Sequence, residues 1–243
     1  MQRRSYAQRC VAIGPAYRHL ARDMKRALKP TGSPVGDVLE VMRRLRAPDG
    51  CPWDREQNHH TLRRHAIEEV YELIDAIEAD DDLEMAEELG DLLLQVVFHS
   101  QLARERGAFD FDAVCRRLVE KLVRRHPHVF GDVQVENVDQ VWANWEKIKH
   151  AEKHGTRHQR ESALDGIPKH LPALLRAEKL LKKARKAKLV AEAPPKRRAK
   201  SALAKELFAL AREAQARGWS AEELLCDEIK RQEKQLRRVE KRR

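Results

Sequence analysis

Glu69 and Glu72 stand three residues apart, and Glu88 and Asp91 repeat that spacing. Three residues apart on a helix means one shared face. Two such pairs suit one kind of chemistry well: oxygen-only ligands gathered around a hard divalent cation, which selects Mg²⁺, Mn²⁺ or Ca²⁺ over zinc. The window Thr61–Asp91 holds twelve carboxylates and two arginines, a local charge of 2 − 12 = −10, although the chain has 49 Lys and Arg against 39 Asp and Glu and a net charge of +10. Glu78, Asp80, Asp81, Asp82 and Glu84 sit where one helix gives way to the next, and a solvated acidic corner accounts for them. Glu88 and Asp91 are harder to explain, because "ELGDLLLQVVF" surrounds them with apolar side chains. A helix apolar on nearly all sides is expected to be mostly buried, and an unpaired buried carboxylate costs several kcal/mol. Spacing alone leaves two remedies open: a cation shared between facing pairs on antiparallel helices, or salt bridges to the abundant arginines.

The elements that must position these acids are helices. Ala, Leu, Arg, Lys and Glu dominate, aromatic residues make up 5% of the chain, and no Val/Ile/Thr-rich alternating run bounded by turns appears, so an all-α fold is expected. Ser33 followed by Pro34 marks a helix start, and that helix stops near "PDG". "PDGCPWDREQNHH" reads as loop. The first acidic helix is expected over about 61–79, with Ile67, Val70, Ile74 and Ile77 at three- and four-residue steps. Asp81 and Glu84 form a start resembling a capping box for a second helix over about 83–105. Asp110 can cap a third, "FDAVCRRLVEKLVRR". "HPHVFGDVQVENV" reads as loop, "DQVWANWEKIKHAEK" as a fourth helix, and "HGTRHQRESALDGIPKHLP" as linker. Trp53, Trp142 and Trp145 read first as core residues, and Trp53 with Asp54 as residues that fix a loop.

"EEVYE" (Glu68, Glu69, Glu72), fifteen residues, then "ELGD" (Glu88, Asp91) resembles the EExxE…ExxD signature of the MazG nucleoside triphosphate pyrophosphohydrolases. The flanks carry the resemblance further: "MRRLRAPDGCPWDREQ", "GDLLLQVVFHSQLARERGAFDFDAVCRRLVEKLVRRHPHVFGD", "WEKIKHAEK" and "SALDGIPKHLPALLRAEKLLKKA", together covering about 34–184. The resemblance implies an all-α fold whose four-helix units assemble as homodimers. It implies Mg²⁺-dependent hydrolysis of a nucleoside triphosphate to monophosphate and pyrophosphate, with Mn²⁺ a possible substitute. Carried over by position, Glu69, Glu72, Glu88 and Asp91 are metal ligands. Glu68 is a neighbouring acid, either orienting a ligand or taking a proton from water. Lys121 and Arg125 face the phosphates, and Trp145 and Lys149 lie near the nucleotide. The chain has no GxxxxGK[ST], which argues against a P-loop ATPase.

Two-copy members of that family repeat the unit. Here "SALAKELFALAREAQARGW" (201–219) lines up with "EELGDLLLQVVFHSQLARERGAF" in a register that puts Ala202 at Glu88 and Lys205 at Asp91. Lysine at a ligand position repels a cation, and no EExxE occurs between 165 and 200, so the second copy is expected to be degenerate, truncated and without metal. The expected organisation is a basic N-terminal extension (1–33), a MazG-like domain (34–155), a linker (156–175) and a degenerate second helical region (176–243). Residues 1–29 carry eight basic side chains against Asp23, which fits a basic arm or an over-long start. They lack the apolar core of a secretory signal. Four scattered cysteines suggest reduced thiols and a cytoplasmic protein. No apolar run is long enough for a membrane span. Residues 227–243 carry net charge +4 (8 − 4), a solvated face first and a nucleic-acid contact second. Few aromatics and the acidic helices argue against nucleic acid. The alternative to an enzyme is a catalytically weak protein that binds nucleotides or a partner.

Overall fold

Ser33 accepts a hydrogen bond from the Gly36 amide and Pro34 occupies the first helical turn, which sets the start of α1 (Pro34–Leu45). The computed structural model describes residues 31–156, 159–190 and 198–242; the basic segment 1–30 lies outside them. Within the described residues the chain is helical and contains no strand. After α1 come α2 (Pro52–Glu56), α3 (Arg63–Glu78), α4 (Asp82–Glu105), α5 (Phe111–Arg125), α6 (Pro127–Phe130), α7 (Val138–Ala151), α8 (Ala173–Lys186), α9 (Lys200–Ala216) and α10 (Ala221–Lys241). The two short helices fall in segments read as loop, and each begins at a proline whose fixed φ suits a first helical turn. Capping fixes the long ones: Asp81 accepts from the amides of Leu83 and Glu84, Asp110 from Ala113, and Ser220 from Glu223.

The chain divides into two units, 1–133 and 134–243. In the first, α4 is the central element, with α1, α3 and α5 packed along it. Its core is Met42, Leu62, Val97, Phe98 and Leu102, joined by Leu39 and Phe111, and each fully buried side chain of this kind contributes roughly 1.5–3 kcal/mol. The expectation of a mostly buried α4 is corrected here. Its C-terminal half is core, but Leu89, Leu93, Leu94 and Val96 are exposed, and so are Ile67, Val70, Ile74 and Ile77 along α3. One copy of this unit does not cover its own apolar surface.

One side chain, Arg46, makes several of the bonds that pin the polypeptide between α1 and α3. The Arg46 guanidinium donates through Nε and Nη2 to both oxygens of Glu105, at 2.7 and 2.6 Å. Its Nη1 donates to the Asp54 carbonyl and, at 3.3 Å, to that of Gln57. The same group lies 5.6 Å above the Phe98 ring. Arg46 therefore ties α1, α2 and the end of α4 together, and its bond holds the Glu105 carboxyl below the usual range.

Next to this clamp, His59 and His99 meet with near-parallel rings and Nδ1 atoms 2.8 Å apart. One Nδ1 must carry a proton and the other must not. Burial lowers the pKa of both; the positive charge of Arg106 adds to it at His59, and the neighbouring His59 does so at His99. With folded values below the ordinary ~6.5, the pair's contribution is complete above that pH. It shrinks as the unfolded state takes up protons first and is lost as pH falls through the folded values. Urea midpoints of the intact protein are thus expected to fall from pH 7 toward pH 5. His59→Gln/His99→Gln will flatten that dependence, and an unchanged slope in the double variant would refute this role for the pair.

In the second unit, α8 and α10 pack together and α9 contacts α10. The core is Leu164, Ala173, Leu180, Ala184, Leu189, Ile229 and Leu236. Leu164 belongs to the stretch read as linker; it is inserted into this core. α9 buries only Ala214 and exposes Leu203, Leu207, Phe208 and Leu210. No described helix is long and apolar enough to cross a membrane.

Candidate metal centre

The corner between α3 and α4 turns on Asp80, which adopts φ 52°, a left-handed conformation that Asp tolerates better than most residues. In an antiparallel helical hairpin, residues equally far from the corner come abreast. Glu69 and Asp91 are each eleven residues from position 80 (80 − 69 = 91 − 80), and Glu72 and Glu88 are each eight from it (80 − 72 = 88 − 80). The two carboxylate pairs are therefore brought opposite one another by chain geometry alone.

Three of the four converge closely. Glu69, Glu88 and Asp91 each offer an oxygen, and the three atoms lie within 4.8 Å of one another, half-buried. Glu72 is exposed and outside this trio, yet near enough for its charge to raise the pKa of both Glu69 and Glu88. Burial is the first cause of the rise at Glu69, followed by Asp91 and Glu72; at Glu88 it is again burial, then Glu72 and Asp91. Glu88 Oε2 is buried and has no hydrogen-bond partner among the described residues. Three arginines of this unit form ion pairs elsewhere: Arg43 with Glu40, Arg46 with Glu105 and Arg116 with Asp110. Among the described residues the four acids form no ion pair with a lysine or arginine. Converging hard oxygens that repel one another, one of them buried and unsatisfied, fit a divalent cation.

Gln95, one turn beyond Asp91, is buried and its Nε2 lies 3.5 Å from Glu69 Oε1. Sequence reasoning missed it, although its i,i+4 spacing from Asp91 within an apolar run was a usable signal. Gly90, between Leu89 and Asp91, is a second feature passed over. A methyl group built at that position would meet nothing within 4 Å among the described residues.

Glu68 is exposed and lies 3.2 Å from His65 Nδ1. Lys121 and Arg125 share a face near the end of α5, the first exposed and the second half-buried. Trp145 and Lys149 belong to the second unit, on α7. There the Trp142 and Trp145 rings are 5.1 Å apart, and Lys149 Nζ lies 5.5 Å from the Trp145 centroid and 3.6 Å from Glu146. The expectation that all three tryptophans are core residues is corrected: Trp53 and Trp142 are exposed, and Trp145 is half-buried. Cys51, Cys115 and Cys226 are free thiols.

The central hairpin of this all-helical unit presents a half-buried carboxylate trio whose oxygens could hold a divalent cation. Residues 57–130 match the MazG nucleotide pyrophosphohydrolase domain. Over 150 residues it is 49% identical to the nucleoside triphosphate pyrophosphohydrolase of Escherichia coli strain K12, covering 61% of this chain and 56% of that protein. Over 153 residues it is 46% identical to the nucleoside triphosphate pyrophosphohydrolase/pyrophosphatase MazG of Thermotoga maritima, covering 63% and 57%. It is 51% identical over 142 residues to the uncharacterized protein YabN of Bacillus subtilis, covering 58% and 28%. The chain thus spans about half the length, or less, of these relatives.

Proposed function

We propose that the protein hydrolyses nucleoside triphosphates to nucleoside monophosphates and pyrophosphate, with Mg²⁺ as its cation and Mn²⁺ as a substitute, at the acidic hairpin of the first unit. The observation that carries this reading is the convergence of Glu69, Glu88 and Asp91 around a buried, unpartnered carboxylate oxygen. In this reading those three and Glu72 hold the cation, which when bound supplies charge neutralisation at the phosphoryl oxygens and acidifies water. The overall change is addition of water at the α-phosphorus and cleavage of its bond to the oxygen bridging to the β-phosphorus. Glu68 either takes the proton of that water or orients a ligand. Lys121 and Arg125 stabilise charge building on the phosphates. Trp145 and Lys149 contribute to nucleotide binding. Gln95 steadies Glu69, since its amide reaches that carboxylate from the buried side of α4.

The domain organisation is part of the proposal: extension 1–33, catalytic domain 34–155, linker 156–175, and a degenerate region 176–243 without activity. The register that sets Lys205 at Asp91 also sets Leu203, Leu207, Phe208 and Leu210 of α9 at Leu89, Leu93, Leu94 and Val96 of α4. All eight are exposed. This supports descent of α9 from a copy of α4 in which the carboxylates were lost and the outward apolar stripe was kept. The uncovered apolar surface of α3 and α4 supports assembly as a homodimer. Nucleoside triphosphates are the proposed substrate in a cytoplasmic setting, with neither membrane nor nucleic acid as a partner.

The test is a panel of the eight common ribo- and deoxyribonucleoside triphosphates with Mg²⁺, reading phosphate after added pyrophosphatase. Release that depends on both Mg²⁺ and protein is expected. Folded protein that binds triphosphates without turnover would replace the enzyme with a binding module.

A further inference from the structure

The second unit gathers positive charge where α7, α8 and the loop 160–166 come together. Lys149 on α7 and Lys186 on α8 both reach Glu146, at 3.6 and 3.4 Å, so two cations share one carboxylate. Three residues before Lys186, Lys183 donates from Nζ to the Ala163 carbonyl at 2.9 Å. That bond ties the loop to α8. The loop is held further by buried Leu164 and by Glu240, which accepts from the Ser162 hydroxyl and the Ala163 amide.

Arg160 completes the group. Its guanidinium lies against Gly166, where an added methyl would overlap Nη2 and Cζ. Gly166 also takes φ 84°, which favours glycine, so the backbone there leaves the guanidinium its place. Arg160 is half-buried and forms no ion pair among the described residues. The Asp165 carboxylate on the same loop is already engaged, by Arg237 at 2.8 Å and by the Ser162 amide at 3.1 Å. Lys183 registers the crowding: burial lowers its pKa, and the charges of Arg160 and Lys149 lower it further, against the opposing pull of Glu146 and Asp165. Four cations around the single carboxylate of Glu146 leave a surplus of 4 − 1 = +3.

A single phosphate, at about −2, does not neutralise that surplus; a diphosphate comes closer. The donors suit it as well. Arginine offers a planar fork matched to phosphate oxygens, and Lys183 keeps two of its three donors after the bond to Ala163. We propose that Arg160 and Lys183, flanked by Lys149 and Lys186, form an anion site for a pyrophosphoryl group, carried by free pyrophosphate or by the end of a nucleoside triphosphate. Binding here requires neither the acidic hairpin nor turnover, so the proposal goes beyond the hydrolase reading and stands apart from it.

The experiment is calorimetry on the full chain in EDTA, where the metal-free acidic hairpin repels anions. Pyrophosphate, α,β-methylene-ATP and AMP are titrated in turn. Saturable binding of pyrophosphate is expected, with AMP clearly weaker. Arg160→Gln and Lys183→Gln should each weaken it about tenfold, the loss of one charge-assisted contact. Lys205→Gln, which removes an exposed charge on α9 outside this cluster, should change it less than about twofold. Lys183→Gln also cuts the tie to Ala163, whereas Arg160→Gln breaks no ion pair among the described residues and so separates ligand contact from folding. The tighter of pyrophosphate and α,β-methylene-ATP identifies the source of the group. No saturable binding, an unchanged affinity in Arg160→Gln, or an equal loss in Lys205→Gln overturns the site, the last because it reports attraction to the chain's net charge of +10. A protein that binds pyrophosphate in this way but hydrolyses no triphosphate refutes the hydrolase reading and keeps the site. Hydrolysis without pyrophosphate binding in EDTA does the reverse.

Discussion

Asp91→Asn will abolish cation binding and turnover while making the metal-free protein more stable. Those two effects move in opposite directions for one electrostatic reason. In the absence of an ion, Asp91 raises the pKa of both Glu69 and Glu88, so removing its charge relieves repulsion that the fold otherwise carries. In the proposed site, a bound ion would draw one of its oxygen ligands from the same carboxylate. A protein stabilised by a ligand at about one hundred times its Kd gains about 2.7 kcal/mol. The wild type should therefore gain that much unfolding free energy from Mg²⁺ near saturation, and Asp91→Asn should gain almost nothing. Turnover should fall at least about a hundredfold, the upper end of the loss seen when even the supports of metal ligands are removed. Asp91→Lys, the residue α9 carries at the matching position, should behave at least as badly toward the ion. Urea unfolding with and without Mg²⁺ measures both signs. A variant that keeps its Mg²⁺-dependent stabilisation would remove Asp91 from the ligand set.

The second large effect falls far from the acids. Arg46→Ala should destabilise the first unit by about 3 kcal/mol, toward the lower end of the range for breaking a buried ion pair because Glu105 remains partly solvated. The Arg46 side chain is only 9% exposed. Its loss orphans a carboxylate on α4 and two carbonyls in the 54–57 segment together. Arg46→Lys keeps the charge but cannot reproduce the planar fork, so it should recover less than half of the loss. Chemical denaturation measures this directly. A change below about 0.5 kcal/mol in either variant, the size of an ordinary surface substitution, would show that the 46–62 segment is held by something else.

What could be read in advance and what could not divide along the range of the forces involved. Caps and periodicity are local, so the starts at Ser33, Asp81 and Asp110 and the spans of the hairpin helices were legible within one or two residues. Even the meeting of Glu69 with Asp91 follows from counting outward from Asp80. The two proline-initiated turns, α2 and α6, read as loop because runs of four or five residues carry no period. The Arg46 clamp was invisible because its partners lie up to 59 residues away, and nothing local distinguishes it from the other arginines. The exposure of Leu89, Leu93, Leu94 and Val96 was misjudged for a different reason. An all-apolar helix face states that something covers it, without stating that the cover comes from the same chain. Trp53 was assigned to packing by residue type, whereas backbone hydrogen bonds, which composition does not record, do the fixing.

The bare space over Gly90 has a consequence of its own. A glycine in a helix interior forgoes roughly 0.5–1 kcal/mol relative to alanine. Nothing among the described residues crowds that position, so no contact among them calls for a glycine there. In the proposed assembly that clearance would serve a phosphate chain laid along the peptide groups beside Asp91, or a second helix passing closer than a methyl permits. On that reading α4 forgoes a little stability so that the backbone beside Asp91 stays approachable.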